Sequence, residues 1–250
     1  MEGSNFLKNS QIIVLGICIA LGTIFSSYIF SQSILKFKKF STELISVTGS
    51  AEKKITSDLM VWKLDFSKRD SSMTQAYQQL QADSKTVKDY LISKGIKNDE
   101  LILAPIQTSV IYRKNEKGNN TNEIEAYGLT QEMEVRSTDV SKITEVSRQA
   151  TELINQGIDL VSCAPEYFYT KLAELKITML HEATQDAKKR AEEIASSSGN
   201  KIGVIRTARM GVFQITPVNS YEISDWGTND TTSLDKKVTA VVKADFAISS

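Results

Sequence analysis

The chain has 250 residues with 30 basic and 30 acidic side chains, so its formal net charge at pH 7 is zero. After residue 40 there are 26 basic and 29 acidic residues, which argues against the clustered basic face that nucleic acid requires. Cys18 lies in an apolar N-terminal segment and Cys163 in the polar remainder, so no disulfide between them is expected.

An apolar segment without charged residues runs from Asn9 to Leu35. About 20 apolar residues in a helix cross the hydrocarbon core of a bilayer, and this segment is long enough. A secretory signal has a shorter apolar core of about 7–15 residues. An uncleaved signal-anchor is therefore favoured over a cleaved signal ending at the weak site Ser31–Ser33. We predict a single-pass membrane anchor within residues 1–40 and one α+β domain over residues 41–250.

The charges that flank this segment bear on its orientation. Lys8 precedes the segment together with Glu2, and Lys36, Lys38 and Lys39 follow it. Positively charged flanks tend to stay in the cytoplasm. Taken alone, the flanks therefore favour a cytoplasmic position for residues 41–250.

Two strands are predicted directly after the anchor, over residues 41–56 and 59–66, from their alternating apolar residues. A glycine inside a strand pattern often marks a bulge, so an interruption is expected near Gly49. Ser57 and Asp58 are typical turn residues. The two strands are therefore predicted to form a hairpin.

Apolar side chains three and four residues apart predict helices over residues 71–94, 140–156 and 172–198. The third helix carries an alanine stripe that would allow another element to approach closely. The remaining predicted elements are strands 101–113, 123–137, 158–170, 201–217 and 235–248 and a long polar loop, 218–234. The expected architecture is an N-terminal transmembrane helix followed by mostly antiparallel sheet with three helices.

Residues that carry chemistry are scarce in this chain. His181 is the single histidine, and it falls within a predicted helix, so a structural role is expected. One histidine and two separated cysteines do not make a zinc site, and no phosphate-binding or nucleophile motif occurs. We therefore predict no enzyme activity, catalytic residue, cofactor or metal site. Carboxylates from separate elements could still meet in the folded chain.

Aromatic residues cluster at two places in the chain. Such residues most often belong to a core, and the alternative is a surface that binds a small molecule or peptide. The candidate binding residues are Tyr167, Phe168, Tyr169, Tyr221 and Trp226.

Three segments resemble the SIMPL-domain family. Residues 183–205 follow the pattern A-x-x-D-A-x-x-R-A-x-x-I-A-x-x-x-G-x-x-I-G. Residues 45–67 are similar to the opening strands of the family, although Ser50-Ala51 and Ser57-Asp58 stand where glycine and Pro-Asp are usual. Residues 235–248 resemble its final strand. The resemblance extends over about residues 41–250.

The resemblance implies a bacterial, extracytoplasmic protein. The family includes periplasmic and surface-exposed members connected with stress response and the cell envelope, and some assemble into ring- or channel-like oligomers. It implies that residues 41–250 face the periplasm or cell exterior. This position conflicts with the cytoplasmic one that the flanking lysines favour. The expected partners are other copies of the chain, and the membrane through residues 9–35. The family carries no catalytic residues to transfer.

Overall fold

A long N-terminal helix, α1 (Gly3–Thr42), opens the structure, which is a computed structural model. The structure describes the backbone of residues 3–249 and the side chains of residues 14–34 and 43–249. Within α1, the 21 residues Val14–Ile34 have a mean hydropathy of 1.9 and are long and apolar enough to cross a membrane. The predicted apolar N-terminal helix is thereby confirmed. The side chains of the flanking residues Lys8, Lys36, Lys38 and Lys39 lie outside the described ones.

Strands and three further helices follow α1, which confirms the α+β class for the described residues. The helices are α2 (Met73–Ser93), α3 (Val140–Gln149) and α4 (Leu172–Ser197). The strands are β1 (Leu44–Thr56), β2 (Leu59–Asp70), β3 (Leu101–Leu103), β4 (Gln107–Lys114), β5 (Asn120–Ser137), β6 (Asp159–Ser162), β7 (Glu166–Phe168), β8 (Lys201–Met210), β9 (Gln214–Pro217) and β10 (Asp235–Ser249).

The chain divides into two compact units. The first contains residues up to 50, residues 182–211 and residues from 241 onward. The second contains residues 51–181 and 212–240. The predicted division of the chain at residue 40 stays a prediction.

Sheet 1 has the strand order β1-β10-β8. The part of this sheet that packs on α4 lies in the first unit. β8 runs antiparallel to β10, from the pair Met210–Val242 to the pair Lys201–Ser249. The alanine stripe of α4 packs against apolar side chains of β1 and β10, and the buried members of this cluster are Val47, Ala187, Ala191, Ala244 and Phe246. Small side chains on α4 allow the helix to lie close to the sheet.

The second unit contains sheet 2, with the order β3-β5-β2-β6 and with β4 paired to β5 and β7 to β2. β2 and β5 form its centre, in antiparallel register from Met60–Ser137 to Asp70–Tyr127. Alternate residues of both strands point towards α2 and α3 because side chains in a strand alternate between faces. Trp62, Phe66 and Leu80 are fully buried in this core.

The predicted hairpin of the first two strands is wrong. β1 belongs to sheet 1, where it pairs with β10, while β2 pairs with β5 in sheet 2. The predicted interruption at Gly49 is also wrong, since β1 is continuous from Leu44 to Thr56. Within the predicted strands 101–113 and 123–137, β4 and β5 pair antiparallel as a hairpin.

Three predicted strands are divided in the structure. Residues 101–113 form β3 and β4, with Pro105 between them, and residues 158–170 form β6 and β7, with Pro165 between them. Proline lacks the N–H that a ladder needs, which explains both interruptions. Residues 201–217 form β8 and β9, separated at 211–213. The predicted helix 140–156 ends at Gln149 and continues as a 3₁₀ helix, Ala150–Gln156.

Candidate functional site

β8 is an edge strand whose side chains are largely exposed on both faces. Within residues 3–249, β10 is the strand that pairs with it, and no strand pairs with its opposite edge. The core under α4 includes β8 only through the half-buried Ile202. Val204 and Met210 are therefore left 62% and 57% exposed. Such a strand presents backbone N–H and C=O groups to which another chain can hydrogen-bond.

Polar contacts hold β8 in register on β10. The hydroxyls of Thr207 and Ser46 both donate to the carboxylate of Asp245, the residue paired with Thr207. These hydrogen bonds, with that of Ser46 the larger cause, lower the pKa of Asp245. A fixed register matters because a slip of one residue would turn every side chain to the other face.

The charges of β8 all have one sign. Its sequence, KIGVIRTARM, contains three basic residues and no acidic one. Together with Val204 and Met210, they give the edge a mixed basic and apolar character. This combination fits an acidic partner that also has apolar side chains.

Residues 221–226, YEISDW, form a second exposed feature, which we call the acidic aromatic segment. Tyr221 and Trp226 are 92% and 94% exposed, and Glu222 and Asp225 give the segment two negative charges. Exposed aromatic side chains of this kind are more common at interfaces than on surfaces that face only water.

The buried side chain of Gln214 holds this segment in place. Its Nε2 donates to the carbonyl of Ser224 at 2.6 Å, and its Oε1 accepts from the N–H of Thr228 at 2.9 Å. The buried amide hydrogen-bonds these backbone groups, as a neighbouring strand would do in a sheet. The segment is thus fixed by its backbone, while its aromatic side chains point into solvent.

The five predicted aromatic binding residues fall in two different environments. Tyr167 packs against the core of the second unit, with its hydroxyl 3.3 Å from Oγ1 of Thr144. Phe168 and Tyr169 are half-buried. Tyr221 and Trp226 are nearly fully exposed. A ligand-binding role of these five residues stays a prediction.

The motif of residues 183–205 builds the contact between α4 and β1. A Cβ at Gly49 would lie 2.2 Å from the carbonyl oxygen of Ala183 and 2.3 Å from the nitrogen of Ala187. One residue on, the N–H of Ser50 donates to Oδ2 of Asp186 at 2.9 Å. This bond is the main reason that the pKa of Asp186 is lowered. Asp186 also accepts from Nε of Arg190 at 2.8 Å.

Comparison with known families gives a match that covers the elements of this contact. The family model SIMPL, described as a protein of unknown function (DUF541), matches residues 45–246, which include β1, α4 and β8. The chain belongs to the SIMPL family. No curated protein matches the chain.

The SIMPL domain has a cavity of about 400 Å³ on sheet 2, lined by Asp65, Ala104, Gln107, Thr130, Glu132 and Val161. Asp65 and Glu132 lie directly opposite each other on β2 and β5. Like charges in this position are unfavourable. Lys63 compensates, with Nζ 3.3 Å from Oε1 of Glu132, and this contact raises the pKa of Lys63.

Cys163 of the SIMPL domain lies beside the cavity-lining Asp65. Its half-buried Sγ is 4.0 Å from Oδ2 of Asp65. Burial, followed by the negative charge of Asp65, raises the pKa of the Cys163 thiol. The thiol is therefore protonated at neutral pH, and a protonated thiol is a poor nucleophile. Among the described residues, no group of three or more histidine, cysteine or acidic side chains could hold a metal ion.

Lys236 is a buried cation of the SIMPL domain that sequence patterns did not single out. It is 2% exposed, and its Nζ donates to the carbonyls of Tyr167 and Asp230. Burial lowers the pKa of Lys236, although the charge of Asp230 opposes this effect. The lysine therefore links β10 to β7 and to the chain that follows the acidic aromatic segment.

Proposed function

We propose that this SIMPL protein is a membrane-anchored, extracytoplasmic scaffold that assembles with copies of itself into a ring- or channel-like oligomer. It would serve envelope maintenance or stress tolerance by binding, without turning over a substrate. The observation that carries this proposal is the exposed edge of β8, which bears apolar side chains on a strand of ten residues.

Edge strands are rarely left open in natural proteins. Natural proteins keep such strands short, cover them or place charges on them, because an open edge invites pairing with another chain. β8 has basic residues, yet it also exposes Val204, Ile205 and Met210. Covering these side chains with a second copy would remove apolar area from water, at about 25 cal/mol per Å².

The N-terminal helix strengthens this argument. A span such as Val14–Ile34 would confine copies of the chain to one membrane plane. Confinement raises the effective concentration of the soluble parts, so that a weak contact suffices for assembly. The extracytoplasmic position and the envelope role are supported by the family resemblance alone, against the charges of the flanking lysines.

The test is the mass of the full-length protein in detergent or nanodiscs, measured by light scattering with the detergent contribution subtracted. We expect a discrete species of several subunits. Val204→Lys should shift it towards monomer by at least about tenfold in dissociation constant, because lysine protects edge strands. The matched control is Ile177→Lys, since Ile177 is 73% exposed but lies on α4. A monomeric wild-type protein would contradict the proposal.

A second candidate function is binding of a small molecule or peptide through the aromatic residues. The near-complete exposure of Tyr221 and Trp226 favours it. Tyr167 packs into the core, however, and none of the five aromatic residues lines the described cavity. Self-assembly is therefore the better supported proposal.

A further inference from the structure

We propose that the acidic aromatic segment, residues 221–226, of one copy docks along the free edge of β8 in a second copy. The inference rests on the self-assembly proposed above and names the two surfaces that would meet. One surface is the open edge of a ten-residue strand, and the other is a short segment with exposed side chains on a fixed backbone.

Charge complementarity selects this partner. β8 contains Lys201, Arg206 and Arg209, and residues 221–226 contain Glu222 and Asp225. Pairing β8 with β8 of another copy would bring six positive charges onto adjacent strands, and like charges that come to lie directly opposite each other destabilise a sheet. Docking of the acidic aromatic segment brings opposite charges together instead.

Apolar complementarity points to the same pair of surfaces. Val204 and Met210 offer aliphatic and thioether surface along β8. Tyr221, Ile223 and Trp226 offer large side chains that are more than four-fifths exposed in the single chain. Aromatic anchors that become buried carry a large share of the binding energy in protein interfaces.

A cross-linking experiment tests the contact directly. Two differently tagged full-length chains, both carrying Cys18→Ser and Cys163→Ser, are expressed together, one with Val204→Cys and the other with Trp226→Cys. A short bis-maleimide should link the two chains. The matched control pairs Trp226→Cys with Ile177→Cys, whose side chain is 73% exposed on α4. That pair should give less than about one tenth of the product, because reactive groups held apart have a low effective concentration.

A charge exchange provides the second test and does not depend on cross-linker chemistry. Arg209→Glu and Asp225→Arg should each weaken assembly about fivefold, and a chain with both changes should recover most of the loss. If the wild-type protein is oligomeric but the cross-link and the recovery are both absent, this inference is overturned while the proposed assembly stands. If the wild-type protein is monomeric, the proposed function itself has failed.

Discussion

At the scale of single residues, Gly49 decides whether α4 can lie on β1. Its missing side chain leaves room for the backbone of Ala183 and Ala187, which a Cβ would approach to 2.2–2.3 Å. No real Cβ tolerates such a distance, and the atoms in the way are backbone atoms that cannot rotate aside. Adding one methyl group here would therefore displace the helix from the sheet.

We predict that Gly49→Ala lowers the free energy of unfolding by more than about 2 kcal/mol, because overpacking against a helix backbone forces main-chain shifts. Chemical denaturation of the full-length protein in detergent, followed by circular dichroism, measures the change. Gly203→Ala is the matched control, since its Cβ would meet Ala247 at an ordinary 3.4–3.5 Å. Equal stability of the Gly49 variant and the wild type would show that α4 does not approach β1 as closely as described.

The hydrogen bonds of Asp186 explain why the family pattern has a carboxylate three residues after Ala183. The alanine allows the close approach, and the carboxylate then accepts the N–H of Ser50 at the crossing point. The same carboxylate accepts a hydrogen bond from Arg190, one helical turn further along α4. The spacing A-x-x-D-A-x-x-R is thus a packing and hydrogen-bonding arrangement, and nothing in it requires a catalytic role.

At the scale of elements, buried Lys236 joins three pieces of the second unit. Its ammonium group satisfies the carbonyls of Tyr167 on β7 and of Asp230. We predict that Lys236→Ala lowers the free energy of unfolding by about 2–3 kcal/mol, because two buried carbonyls lose their donor. Denaturation at pH 7 measures this loss. Lys237→Ala is the control, since Lys237 is half-buried and contacts the Tyr221 ring at 5.3 Å.

The lowered pKa of Lys236 adds a pH dependence with a definite sign. Between the lowered pKa of the folded protein and the ordinary 10.5 of the unfolded chain, the unfolded state binds the extra proton. Stability then rises with pH across this interval. The stability difference between wild type and Lys236→Ala should therefore grow as the pH is raised towards 10.5. A difference that shrinks over this range would mean that the lysine is not held in a buried position.

Elements with a local pattern could be predicted from the sequence, and long-range pairings could not. The pattern of residues 172–198 predicts a helix, and the structure has α4, Leu172–Ser197, there, because periodicity and the glycine after it are local signals. The turn residues Ser57-Asp58 predict a hairpin between β1 and β2. The actual partner of β1 is β10, and the hydrogen bond between Thr56 and Asp235 joins residues 179 apart in the chain.

The candidate site was only partly predictable for a related reason. The aromatic character of Tyr221 and Trp226 is visible in the sequence, and so are the basic residues of β8. The exposure of the β8 side chains depends on which strands α4 covers, and this follows from the sheet order β1-β10-β8. The apolar residues of β8 form an ordinary strand pattern. Nothing in this pattern indicates that one edge of the strand is unpaired.

At the scale of the whole molecule, two signals disagree about the side of the membrane on which an anchor within α1 would place residues 41–250. The lysine flank favours the cytoplasm, while the family resemblance favours the cell exterior or periplasm. Cys163 is a poor reporter because its thiol is half-buried and its pKa is raised. The exposed Lys117, in the turn between β4 and β5, offers a better position for a labelling probe.

We predict that Lys117→Cys, in a chain with Cys18→Ser and Cys163→Ser, reacts with a membrane-impermeant maleimide in intact cells. Ser4→Cys in the same background should react only after lysis, because Ser4 precedes the apolar span Val14–Ile34. The two variants control for each other, since a single-pass anchor must place them on opposite sides. Labelling of Ser4→Cys alone in intact cells would show that the lysine flank sets the orientation. An extracytoplasmic scaffold would then be excluded, whereas the edge of β8 could still assemble the chain in the cytoplasm.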